Sequence, residues 1–106
     1  MDTKTQALFE ARARIIKALA HPSRLFIIDR LSRDDYCVQE LAEMIEADIS
    51  TVSKHLSVLK NAGLIRDTKE GQKVYYKLSC PCVLNFFACV ETVIATTAKE
   101  QAALLK

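Results

Sequence analysis

Apolar residues recur along this chain at two different periods, and the changes of period divide it into elements. Over residues 5–19, Leu8, Ala11, Ile15, Ala18 and Leu19 return at three- and four-residue spacing, which predicts a helix with one apolar face. Pro22 suits the first turn of a second helix, over residues 22–32, whose apolar positions are Leu25, Ile28 and Leu31, widened by Phe26 and Ile27. Residues 34–36 read as a turn. A short third helix comes next over residues 38–46, on Val38, Leu41, Ala42 and Ile45. Asp48, Ile49 and Ser50 break it. A fourth helix then starts near Ser50 or Thr51, either of which can cap it, with Val52, Leu56 and Leu59 as its core stripe and Gly63 free to close its end.

The period then shifts to that of strands. Residues 64–68 and 73–78 read as two strands, with residues 69–72 as the hairpin turn between them. From Val83 onward the helical period returns in Val83, Phe86, Phe87, Val90, Val93, Ile94 and Thr97, on a helix too apolar along one side to stand alone in water. The predicted class is mainly α with one β-hairpin: four helices, a two-stranded wing and a long C-terminal helix, forming a single domain over residues 1–106. A domain of this size buries only about 65% of its unfolded surface, so association through the last helix would add to a modest core.

Half the residues are hydrophobic and 26% are charged, with two Gly and two Pro, a composition that suits an ordered helical protein and not a disordered one. Charged residues interrupt every apolar stretch, and the first residues are amphipathic, so neither a membrane span nor a secretion signal is expected and the expected compartment is the cytoplasm. In that compartment, cysteines serve more often as thiols, metal ligands or redox sensors than as disulfides.

The net charge of +2 conceals a strong segregation. Residues 34–48 carry six acids and no base, whereas residues 50–78 carry six bases against two acids. The basic block coincides with the fourth helix and the hairpin. Two short helices joined by residues 46–49 fit a helix-turn-helix, and a hairpin directly after them fits a wing. Ser50, Thr51, Ser53, Lys54, His55, Ser57 and Lys60 on the fourth helix are small donors and cations suited to phosphates and base edges in a major groove, and Lys69, Gln72 and Lys73 at the wing tip suit a flanking backbone. Glu40, Glu43 and Glu46 would repel a phosphate backbone and are expected to face away from it. His21, beside Pro22 at a helix start, reads as structural. The expected partner is double-stranded DNA.

In Lys17-Ala18-Leu19-Ala20-His21-Pro22-Ser23-Arg24-Leu25, in residues 50–65 and in the wing ending Val74-Tyr75-Tyr76-Lys77-Leu78, the sequence resembles the ArsR–SmtB family of metal- and metalloid-responsive repressors, over about residues 8–95. The resemblance implies a homodimer formed by the first and last helices, a near-palindromic operator and repression relieved by an inducer, with no cofactor needed for DNA binding. The apolar stripe of the last helix supports a dimer independently.

One sensing class in the family places two cysteines at the start of the third helix. The matching segment here is Cys37-Val38-Gln39-Glu40-Leu41, with one thiol replaced by Gln39. Another class uses Asp and His on the last helix, and that helix has neither. There remains Cys80-Pro81-Cys82 followed by Cys89, at the head of the last helix, a spacing comparable to that of some arsenic-responsive members. Soft thiolates select thiophilic ions, and three of them suit arsenite or antimonite, with cadmium and lead as substitutes. Seven residues of continuous helix separate Cys82 from Cys89 by about 10 Å. A site within one subunit therefore needs a later helix start, with Asn85 as the cap. Otherwise the site spans the dimer, or Cys89 is a core thiol. A redox or persulfide switch at the same cysteines is the alternative reading. A thiol oxidoreductase is disfavoured because one residue and not two separates the two cysteines, and a winged helix used only for protein contacts is a further alternative.

Overall fold

The computed structural model describes residues 1–105. Helix α1 spans Thr3–Leu19, with the Asp2 carboxylate accepting the Thr5 backbone N–H at 2.7 Å as its N-cap. Helix α2, Pro22–Leu31, is capped by His21, whose Nδ1 accepts the Ser23 N–H at 3.1 Å. That bond makes His21 a structural residue, as its place beside Pro22 suggested. Strand β1, Tyr36–Cys37, precedes α3, Val38–Ile45, and α4, Ile49–Asn61. The wing is β2, Ile65–Glu70, and β3, Lys73–Leu78, and α5 runs over Val83–Leu104. The result is a winged helix-turn-helix.

Three details depart from the sequence reading. The expected turn at residues 34–36 ends in a strand: Tyr36 pairs with Tyr76 and Cys37 with Tyr75, giving a three-stranded sheet in the order β1-β3-β2. Two residues are too short a run to show alternation. Helix α4 starts at Ile49, not at Ser50 or Thr51, because the Asp48 carbonyl already accepts the first helical bond, from Val52 N–H at 3.0 Å. Strand β2 also extends two residues further than expected, through Lys69 and Glu70, so that only Gly71 and Gln72 form the turn. Gly71 has φ +66°, which a two-residue hairpin loop demands at its first position and which Gly adopts without strain.

The core is built by the end of α1, where Ala18 and Leu19 are buried, by α2, α3 and α4, and by the base of the wing. Ile27, Ile28, Leu41, Val52, Leu56 and Leu59 are all fully buried, which confirms the stripe expected for α4. That helix ends in a Schellman closure: Gly63 N–H donates to the Lys60 carbonyl and Leu64 N–H to the Leu59 carbonyl, with Gly63 at φ +82°. Leu64 and Ile65 then enter the core, and the wing leaves from a fixed point. Helix α5 joins the core only at its head, where Val83 is its one buried residue. Further along, Val93 and Ile94 are 64% and 63% exposed. No helix among the described residues is long and apolar enough to cross a membrane.

Candidate nucleic-acid interface and thiol pair

The turn between α3 and α4 is three residues, Glu46, Ala47 and Asp48, with Glu46 in the left-handed region at φ 61°. It sets α4 against α3 so that Val52, Leu56 and Leu59 face inward and the polar side faces out. Ser50, Thr51, Lys54, Ser57 and Lys60 are exposed, and Ser53 is half-buried. Lys54 has no acidic partner among the described residues. Lys60 is paired instead, its Nζ 3.0 Å from Asp67 Oδ2 on β2. At the wing tip Lys69, Gln72 and Lys73 are exposed. Lys77, further down β3, is neutralised by Asp35 at 2.9 Å and Glu70 at 3.5 Å, and the bond to Asp35 holds its ammonium above the ordinary lysine range.

His55 is not on the open face with Lys54. It is half-buried, its ring lies 4.4 Å from that of His21, and its Nδ1 accepts a hydrogen bond from Arg24 Nε at 3.1 Å. The position follows from period: His55 is three residues after Val52 and one before Leu56, so it borders the buried stripe. Burial, reinforced by His21 and Arg24, lowers its pKa and keeps the imidazole neutral. His55 therefore ties α4 to the start of α2, and its Nδ1 is spent on that tie. Sequence reading missed Arg24, the donor of the bond. It also missed Arg14 and Lys17, which with Arg24 border a hollow of about 480 Å3 beside the C-terminal end of α4. The three-residue spacing of Arg14 and Lys17 on α1 was the available signal.

Acidic α3 has a local role at its first turn. Glu40 Oε1 accepts the Cys37 N–H at 3.0 Å, and that bond holds the carboxyl below the usual range. Cys37 itself is 2% exposed in β1.

The other cysteines lie at the head of α5. Cys80 and Cys82 bring their sulfurs to 2.9 Å, Cys80 half-buried and Cys82 exposed, and the hydrogen bond between the thiols pushes the Cys82 pKa up. The helix begins at Val83, not after Asn85, so Cys89 lies on the same continuous helix, exposed and about 10 Å along the axis from Cys82. Among the described residues no three His, Cys, Asp or Glu side chains stand in metal-holding geometry. One subunit thus assembles a thiol pair and leaves Cys89 apart. Beside the pair lies a hollow of about 420 Å3 between α1 and α5, walled by Ile15, Ile16, Leu19, Leu64, Val83 and Phe86.

This arrangement can be set beside known proteins. The model of bacterial regulatory proteins of the arsR family matches residues 21–67, from the cap of α2 into β2. The nodulation protein NolR of Rhizobium meliloti is 30% identical over 99 residues, covering 92% of this chain and 81% of that protein. The chain belongs to the ArsR family. An HTH-type transcriptional regulator of Mycobacterium tuberculosis, Rv0324, is 36% identical over 82% of this chain, which spans 38% of that protein's length. In three dimensions, the homodimeric winged helix-turn-helix DNA-binding domain of Mb0332 from Mycobacterium bovis superposes with a TM-score of 0.79 at 31% identity, covering 94% of this chain and 93% of that one. The ArsR-family assignment makes the chain a transcriptional regulator and not an enzyme.

Proposed function

We propose that this chain is a homodimeric repressor that holds a near-palindromic operator with α4 and the wing and is released when a thiophilic inducer reacts with Cys80 and Cys82. The observation that carries the reading is the 2.9 Å approach of the two sulfurs at the head of α5. Soft thiolates favour trivalent arsenic or antimony, with cadmium and lead as substitutes. A third thiolate for an inorganic ion would come from Cys89 of the other subunit, since Cys89 of the same helix is out of reach. Lys54, with Ser50, Thr51, Ser53 and Ser57, faces the major groove, and Lys69, Gln72 and Lys73 reach the flanking backbone. Lys60 contributes after leaving Asp67.

Release works through geometry. A dimer reads two half-sites about 34 Å apart, so a change in the angle between subunits removes both recognition helices from register. The apolar sides of α1 and α5 are the surfaces for that dimer. To act as a switch the inducer must bind the DNA-incompetent arrangement more tightly by several kcal/mol, because equal affinity for both shifts nothing.

The test is a titration of reduced protein on a fluorescent fragment of its own promoter with arsenite, antimonite, cadmium, lead, zinc and polysulfide. Release by arsenite or antimonite at near-stoichiometric levels, lost in Cys80→Ser and Cys82→Ser, is the expected result. Release by polysulfide alone, reversed by dithiothreitol, replaces the metalloid reading with a redox one, which the close approach of the two sulfurs also favours.

A further inference from the structure

We infer that Arg14 and Lys17 of α1, backed by Arg24 of α2, grip operator phosphates on the flank of α4 opposite the wing. The inference rests on the reading that α4 lies in the major groove, and it concerns cations which that reading leaves unused.

Helical period divides α4 into faces. Val52, Leu56 and Leu59 point inward, and Lys54 and Asn61 stand on the opposite line, both exposed. To one side of that outward line lie Ser53, Ser57 and Lys60, and the bond from Lys60 to Asp67 of β2 marks it as the wing side. To the other side lie Thr51, His55, Val58 and Ala62. There His55 is bonded to Arg24, and Val58, Asn61 and Ala62 share with Arg14, Lys17 and Arg24 the lining of the hollow of about 480 Å3. A helix with its side chains is about 10–12 Å across and the major groove about 12 Å wide, so a helix lying in the groove has one phosphate strand along each flank. The wing serves one strand. The junction of α1 and α2 stands beside the other.

Charge points the same way. Arg33, Lys60 and Lys77 are each neutralised by a carboxylate of this chain. Arg14, Lys17 and Arg24 have no acidic partner among the described residues, and no carboxylate lines the hollow they border. Glu10, one turn before Arg14, accepts a hydrogen bond from Gln6 Nε2 at 2.9 Å instead. Arg24 is anchored, its Nε donating to His55 and its Nη1 to the Ala18 carbonyl at 3.4 Å, whereas Arg14 and Lys17 are exposed. Uncompensated cations grouped in this way attract a polyanion, and phosphodiester oxygens accept from guanidinium and ammonium alike. Arg14 and Lys17 also lie on the side of α1 away from Leu8, Phe9, Ile16 and Leu19, so a dimer closed through that apolar side leaves them open.

Fluorescence anisotropy on the promoter fragment, between about 50 and 200 mM salt, compares wild type with Arg14→Ala/Lys17→Ala, Arg14→Lys/Lys17→Arg and Lys99→Ala. Arg24 is kept, because its loss would also undo the tie to His55. The double alanine variant should flatten the slope of log affinity against log salt by about 1.8 for each subunit bound, about 0.9 for each lost contact. The charge-conserving variant should keep the wild-type slope, and so should Lys99→Ala, which removes a cation near the C-terminal end of α5. Phosphate-ethylation interference locates the contact. Positions where ethylation blocks wild type but not the double alanine variant should lie across the major groove from those that Lys69→Ala/Lys73→Ala relieves. A wild-type slope in the double alanine variant, or an equal loss per charge in Lys99→Ala, would overturn the inference. So would a weakened dimer in sedimentation velocity, which would place Arg14 and Lys17 between subunits. In each of these cases a flattened slope in Lys54→Ala leaves the reading of α4 standing. If Lys54→Ala also keeps the wild-type slope, that reading falls too.

Discussion

The bond from Arg24 Nε to His55 Nδ1 requires an imidazole with a free lone pair on that nitrogen, so protonation of His55 turns an acceptor into a donor facing a cation. Because burial and the neighbouring His21 and Arg24 lower the folded pKa below the ordinary 6.5, the unfolded chain takes up the proton first as pH falls. Stability from this site is complete above pH 6.5 and is lost as pH drops from there through the folded value. Thermal denaturation at about pH 7.5 and about pH 5.5 should show Tm falling on acidification, with part of the fall absent in His55→Asn. A Tm decline identical in the variant would mean that other groups govern it. Much at this scale was visible in the sequence: Val52, Leu56 and Leu59 by period, and His21 by its place before Pro22. The inward turn of His55 was less so, because a residue at the border of an apolar stripe satisfies both a surface and an interior reading. Arg24 depends on a contact across 31 positions, which no local pattern encodes.

Each reading element is shaped by where its ends are fixed. Helix α4 stops because Gly63 takes φ +82°, and the same closure feeds Leu64 and Ile65 into the core and starts β2. No atom lies within 4 Å of a Cβ placed on Gly63, so Gly63→Ala carries backbone strain with no steric clash. Chemical denaturation should show a loss of about 1–2 kcal/mol, the penalty of a left-handed residue bearing a side chain. A loss under about 0.3 kcal/mol would mean that the closure rearranges freely. Legibility at this scale tracked length. Five helices and the wing carry enough periods to be read, but β1 has two residues and exists because β3 offers it a free edge, a fact of tertiary pairing. The start of α4 shifted to Ile49 for a related reason: the capping preference of Ser50 and Thr51 was outweighed by the turn that packs α3 on α4. At the thiols, residue spacing revealed the cluster but not its division, since whether Cys89 reaches Cys82 depended on where α5 begins.

Taken whole, the molecule pairs a well-packed reading body with a helix that leaves most of its apolar side uncovered. Lys54 is the exposed cation of α4 with no acidic partner among the described residues, so its contribution to DNA binding should be electrostatic and nearly independent of sequence. Fluorescence anisotropy between about 50 and 200 mM salt should give Lys54→Ala a slope of log affinity against log salt shallower by about 0.9 for each subunit bound. An unchanged slope would remove Lys54 from the phosphate contacts. Lys60 should alter the slope less, because it gives up Asp67 to reach a phosphate. Of the acids in residues 34–48, Glu40 and Glu43 stand on α3, whereas Asp48 caps α4 and Asp35 pairs with Lys77 of the wing. Helix α5 gives the core a single buried side chain, Val83. Folding is thereby separated from the outer length of α5: substitutions at Val93 and Ile94, 64% and 63% exposed, leave the buried core of one subunit untouched.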